Sequence, residues 1–165
     1  MIGRGVIEPD RRLTATLALL APHLAELKEP WWLFGSAAMV VHGAGPLAPG
    51  DVDLLVSRAD AQSLLARLGL PLAPGSKSDR FRSEIFACWR AGPLPVEILA
   101  GFHVRVGSVW EEVRPHSRVA IPLPSGTVYV PDMPELIALC RRFGRSKDIE
   151  RVGMLEALAA GRRQS

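Results

Sequence analysis

Leu13, Leu17, Leu20, Leu24 and Leu27 recur at spacings of four and three, which lays one apolar stripe along a predicted helix over residues 10–28. Pro22 is expected to kink or split that helix, because an internal proline removes a backbone hydrogen bond and clashes with the preceding turn. Beyond Pro30, the run Trp31-Trp32-Leu33-Phe34 reads as a short buried strand halted at Gly35-Ser36, and Ala37 to Val41 as a short helix ending at His42-Gly43. Three glycines and two prolines make residues 43–50 a loop. Val52, Leu54 and Val56 alternate with Asp51, Asp53 and Leu55, the pattern of a strand, and Ser57 is suited to cap a helix through Leu64, Leu65 and Leu68. Residues 70–79, rich in Pro, Gly and Ser, read as a mobile loop.

Alternation at Phe81, Ser83, Ile85, Ala87 and Trp89, then an apolar run from Leu94 to Leu99 after Ala91-Gly92-Pro93, predicts a hairpin. Val119–Ile121 and Thr127–Val130 look like short strands, and two helices close the pattern near Pro134–Phe143 and Ser146–Ala160. The rest of the stretch Val104 to Val130 has no clear pattern. Strands mixed with helices, joined in part by a hairpin, imply an α/β or α+β fold in which helices flank a short mixed sheet.

Composition narrows the class. At 165 residues, 48% hydrophobic and 22% charged, the expectation is one folded domain over 1–165, with an N-terminal helix (10–28), a core (31–130) and C-terminal helices (132–160). That apolar content with a net charge of only +3 excludes a disordered chain. The longest apolar run, Trp31 to Val41, is broken by Gly35-Ser36 and is about half of a bilayer span, so no membrane partner is expected. Met1-Ile2-Gly3-Arg4-Gly5 lacks a secretory pattern, and Cys88 and Cys140 sit apart in apolar patterns, so the expectation is a cytoplasmic protein with free thiols. The basic excess is almost all arginine, 17 Arg against 3 Lys. Arginine suits phosphate through its planar donor fork, but a solvated basic surface explains the same count.

Three features carry candidate chemistry. In a strand, residues i and i+2 share a face, so Asp51 and Asp53 place two carboxylates side by side. That repulsion needs a reason, and a hard divalent cation such as Mg²⁺ supplies one, since it takes carboxylate and phosphate oxygens. Glu97, alone between Val96 and Ile98, could add a third carboxylate from a neighbouring strand and complete a two-metal phosphoryl-transfer site. Gly35-Ser36 at a strand-to-helix junction would let the backbone and the helix N-terminus meet a phosphate. Each piece alone has a plainer explanation: a turn and cap for Gly35-Ser36, a chance spacing for Asp51 and Asp53, a solvated edge acid for Glu97.

Their order is more specific. Phe34-Gly35-Ser36, then Asp51-Val52-Asp53-Leu54, then Glu97 on a later strand resembles the signature of the DNA polymerase beta-like nucleotidyltransferase superfamily. Glu135-Leu136-Ile137-Ala138-Leu139 followed by Arg145-Ser146-Lys147-Asp148-Ile149 is similar to the closing helices of its small AbiEii-like, toxin-related branch. The resemblance implies a minimal nucleotidyltransferase fold that uses Mg²⁺ or Mn²⁺ and takes a nucleoside triphosphate as substrate. It assigns triphosphate binding to Gly35, Ser36 and Lys147. Metal ligation falls to Asp51, Asp53 and Glu97, which are thereby the catalytic acids, with Glu97 preparing the acceptor hydroxyl. The acceptor could be a tRNA, a protein or a small molecule, and a toxin-antitoxin setting would add an antitoxin partner. Asp148 matches the same motif, although a favourable acid in the first turn of a helix capped by Ser146 is the preferred account of it.

The chain also departs from the pattern. Leu47 and Pro49 stand where relatives carry an Arg and a Thr or Ser, and Cys140 stands where they carry a Lys. Arg141, Lys77 and Arg82 are candidates to replace the missing cations. The alternative to an active transferase is a weakened, nucleotide-binding or regulatory module of the same fold. His42 follows the Gly35-Ser36 helix and is expected to be structural, the four tryptophans are expected in the core, and the arginines at 141, 142, 145, 151, 162 and 163 are expected on a solvated face.

Overall fold

The computed structural model describes residues 10–72, 75 and 77–164; the reading of Met1–Gly5 and part of the 70–79 loop lie outside the described residues. Helix α1 (Arg11–Leu24) starts on Asp10, whose carboxylate accepts the Arg12 N–H at 2.8 Å, and it buries Leu13, Leu17, Leu20 and Leu24. It stops four residues before the expected end. The next backbone N–H groups turn back on His23 and Leu24, and those of Lys28 and Glu29 donate to the buried Asp60 carboxylate instead of continuing the helix. Pro22 falls in the last turn and does not split α1, because a helix about to end loses only one hydrogen bond there.

Strand β1 (Trp32–Phe34) leads into α2 (Gly35–His42); β2 (Val52–Leu55) leads into α3 (Arg58–Leu68), capped by the Ser57 side chain as expected. The hairpin forms from β3 (Phe81–Trp89) and β4 (Val96–Val106), and β4 runs on into β5 (Val109–Glu112). A separate two-stranded sheet pairs β6 (Val119–Leu123) with β7 (Gly126–Val130), followed by α4 (Met133–Phe143) and α5 (Ser146–Arg163).

The main sheet has the order β1-β2-β4-β3, with β5 added on β4; only the β2–β4 pair is parallel. This is the mixed, helix-flanked sheet that the pattern predicts. Val52, Leu54, Val96 and Ile98 point into one core with α1 and α3, while Leu55 and Leu99 pack on the other side with Phe34, Phe102, Leu139 and Phe143. Leu99 and Phe102 share a cluster although an odd spacing would place them on opposite faces of a regular strand. Gly101, at φ +59°, absorbs the change of phase, a conformation L side chains rarely adopt. That break lets β4 run on as an eleven-residue strand, past the end at Leu99 that the apolar run predicts.

Candidate active site

Strand register assembles the acids. Asp53 pairs with Phe34 of β1 on one side and with Glu97 of β4 on the other, and Glu97 in turn faces Cys88 of β3. One row across the sheet therefore holds Asp53 and Glu97 on one face, with Asp51 two residues upstream on the same side. Carboxylate oxygens of Asp51, Asp53 and Glu97 all lie within 4.8 Å of one another. Three hard oxygen donors at such spacing fit a divalent cation. In its absence the Asp53 carboxyl is held well above the usual carboxylate range, first by withdrawal from water and then by the Asp51 charge and a hydrogen bond with Glu97.

Gly35 opens α2 at φ +67°, where a side chain would be strained, and a Cβ there would come within 2.6 Å of Asp53 Oδ2. Only glycine lets the strand-to-helix turn pass beneath the carboxylate. Ser36 follows, buried, in the first turn of α2. Gly35, Ser36 and the three acids line one cleft of about 220 Å³, which Arg145, Lys147, Asp148 and Arg151 at the start of α5 also line. Its floor is carbon: Phe34, Phe81, Phe102 and Phe143 belong to the second hydrophobic cluster or pack on it. Phe81 stacks on Phe102 at 5.6 Å between ring centres and meets Phe143 edge-on at 5.2 Å.

All six site residues singled out in the sequence, Gly35, Ser36, Asp51, Asp53, Glu97 and Lys147, line this cleft. The proposed replacement cations do not. Arg141 is tied to Glu156 at 2.5 Å, Arg82 lies over the Trp110 ring at 4.7 Å, and Lys77, whose backbone pairs with that of Arg82, is not among the cleft residues. Arg145 and Arg151, grouped in the sequence with a solvated face, line the cleft instead, with side chains 33% and 18% exposed. Their signal was the spacing: each lies three residues from Asp148, within reach of it along a helix. The cap of α5 is also corrected. Arg145 takes that position and Ser146 is the first helical residue, because the buried Asp148 carboxylate accepts the Arg145 N–H at 3.1 Å.

Cys140 is a buried thiol of the main core, and burial pushes it up to about 11, with the Asp148 charge adding to the shift. His42 is buried away from the cleft and bonded through Nε2 to the Pro131 carbonyl at 2.8 Å, as its structural reading anticipates. Of the tryptophans only Trp31 is fully in the core; Trp32 is half-buried and donates from Nε1 to the Ser117 carbonyl at 2.9 Å. Both cysteines are free, and no helix among the described residues is long and apolar enough to cross a membrane.

No protein-family model and no curated protein matches the chain. Among solved structures it resembles a Thermotoga maritima protein (TM1012) provisionally assigned as a nucleotidyltransferase, with a TM-score of 0.68 and 17% identity over 83% of this chain and 88% of that one. A crystal structure of ANT(2")-Ia in complex with adenylyl-2"-tobramycin aligns at a TM-score of 0.47 with 15% identity, over 89% of this chain and 93% of that chain. A solution structure of the antibiotic-resistance factor ANT(2'')-Ia aligns at 0.46 with 16% identity, over 89% and 88%. These last two likenesses are too weak to add to the first. The likeness to the Thermotoga protein is one of architecture, and what it establishes is that this chain adopts a nucleotidyltransferase-like α/β fold.

Proposed function

We propose that the chain is a Mg²⁺-dependent nucleotidyltransferase, moving a nucleoside monophosphate from a nucleoside triphosphate to an acceptor hydroxyl. The observation that carries this reading is the convergence of Asp51, Asp53 and Glu97, from separate stretches of the chain, on one cleft that Arg145, Lys147 and Arg151 also line. In this reading Asp51, Asp53 and Glu97 hold the divalent ion, which when bound offsets phosphate charge and polarises the reacting phosphoryl group. Gly35 and Ser36 present the N-terminal turn of α2 to the triphosphate, and Lys147 adds a charge at the cleft mouth. Glu97 accepts the proton of the acceptor hydroxyl as its oxygen bonds to the α-phosphorus. The bond from that phosphorus to the β-phosphate bridging oxygen breaks, and pyrophosphate leaves.

Support for an active enzyme over a weakened binding module comes from the cleft's charges. The two cations absent at Leu47 and Cys140 have counterparts in Arg145 and Arg151, beside the Lys147 that the chain keeps. The similarity of the Glu135–Leu139 and Arg145–Ile149 stretches to AbiEii-like proteins supports placement in that toxin-related branch, with a tRNA, a protein or a small molecule as acceptor and an antitoxin as partner. Calorimetric titration with each nucleoside triphosphate and Mg²⁺, on the wild type and on an Asp51→Asn/Asp53→Asn variant, tests the reading. Binding by the wild type that the variant lacks supports it; no wild-type binding at millimolar nucleotide sinks it.

A further inference from the structure

Asp148 is completely buried, yet it lines the same cleft as the acid triad. Buried carboxylates need partners, and its oxygens are taken up: Arg145 donates from Nε to Oδ2 at 2.6 Å, from a terminal nitrogen to Oδ1 at 3.0 Å and from its backbone N–H to Oδ2 at 3.1 Å. Arg151 adds an ion pair at 3.6 Å. Among the described residues the acids that converge as one potential ion site are Asp51, Asp53 and Glu97, and Asp148 is outside that group. A carboxylate so occupied is poorly placed to ligate a metal or to take a proton from an acceptor.

What it does hold is the cationic wall. A guanidinium carries five N–H donors, and the two side-chain donors Arg145 spends on Asp148 leave three. Its plane is further fixed over the Phe81 ring, 4.8 Å from the ring centre. Arg151 spans the cleft electrically, since its charge is felt by Asp53 as well as by Asp148. Two long, rotamer-rich side chains are thus ordered before any ligand arrives, which removes part of the entropy cost of binding.

We propose that Asp148 is a positioning residue that pre-orients Arg145 and Arg151 to receive the polyphosphate tail of the nucleotide. The identity of that polyanion rests on the nucleotidyl-transfer reading; the clamp itself is tested without turnover. Inorganic tripolyphosphate is titrated in EDTA against the wild type, Asp148→Asn, Arg151→Gln and the double variant. The wild type binds, Asp148→Asn weakens binding roughly 10- to 100-fold, the range set by one charge-assisted hydrogen bond, and the double variant is about as weak as Asp148→Asn alone. In turnover with Mg²⁺ the KM for nucleotide rises with kcat within about threefold and the pH profile unmoved, because the binding lost is shared by the ground and transition states.

The proposal is overturned by a wild type that ignores tripolyphosphate, by equal binding in Asp148→Asn, by additive losses in the double variant, or by a fall in kcat with a lost pH limb at constant KM. Should Asp148→Asn not fold, Arg151→Gln and Arg151→Lys decide: Gln must weaken tripolyphosphate binding and Lys must restore it, and equal affinities overturn the clamp. A wild type that binds tripolyphosphate but releases no pyrophosphate from any nucleoside triphosphate refutes the transfer reading alone.

Discussion

Replacing Asp53 with Asn should make the metal-free protein more stable while abolishing its response to metal. Two full charges 4.8 Å apart, the outer spacing of the triad, repel by about 3.5 kcal/mol at an effective dielectric of about 20. Asp53 faces Asp51 and Glu97, with Arg151 offsetting part of the repulsion and a hydrogen bond to Glu97 relieving more. A net relief of about 2–4 kcal/mol follows, equivalent to about 5–15 °C in Tm for a domain of this size.

The pH dependence has a definite sign. A carboxyl whose folded-state value is raised costs stability as pH climbs from the ordinary carboxylate range through that raised value, and it costs nothing below both. The advantage of Asp53→Asn in EDTA should therefore vanish near pH 4 and grow as pH rises from there to 8. Thermal unfolding by circular dichroism, with EDTA or with 10 mM Mg²⁺ and across that pH range, measures it. Added Mg²⁺ should raise the wild-type Tm and leave the variant unmoved, since only a site that binds the folded state contributes. A variant less stable than the wild type at pH 8 in EDTA, or an equal gain from Mg²⁺ in both, would refute the electrostatic account of the triad.

Two further predictions concern the scaffold. Gly35→Ala places a Cβ 2.6 Å from Asp53 Oδ2 at φ +67°, so the backbone term alone should cost about 1–2 kcal/mol and the displaced carboxylate should cost metal affinity; an unchanged urea midpoint and unchanged Mg²⁺ binding would contradict this. For His42, burial holds the imidazole below its ordinary 6.5, against the opposing bond to Pro131 and with the Arg162 charge adding to burial. The unfolded chain then binds the extra proton first, so stability is full above pH 6.5 and falls below it. His42→Gln should flatten that decline by at most about 1.4 kcal/mol per pH unit, read from urea midpoints between pH 5 and 7.5; parallel curves would exclude His42 as the source.

Much of the fold was legible because its signals are local. The α1 stripe, the Ser57 cap, the strand that follows Asp51 and carries Asp53, and the Phe81–Leu99 hairpin each rest on side-chain periodicity or turn chemistry within a few residues. Legibility failed where distant groups intervened. The end of α1 is set by Asp60, some thirty residues away in sequence, which draws the Lys28 and Glu29 N–H groups out of any helix. The phase change at Gly101 could not be read from alternation, since alternation is the property it breaks.

The candidate site divides along the same line. The sequence by itself determined which residues could do the chemistry: two acids at an i, i+2 spacing, a lone glutamate on a later strand and a Gly-Ser turn into a helix. It also carried, unread, an acid flanked three residues away on each side by arginine. Only the tertiary structure decided that β2 and β4 pair in parallel with Asp53 opposite Glu97, because register is chosen by how whole strands bury their apolar faces. Only it distinguished arginines that line the cleft from those tied up on the surface. An arginine's role depends on which partner can reach its guanidinium, and for Arg145 and Arg151 that partner is the carboxylate that folding buries between them and the core.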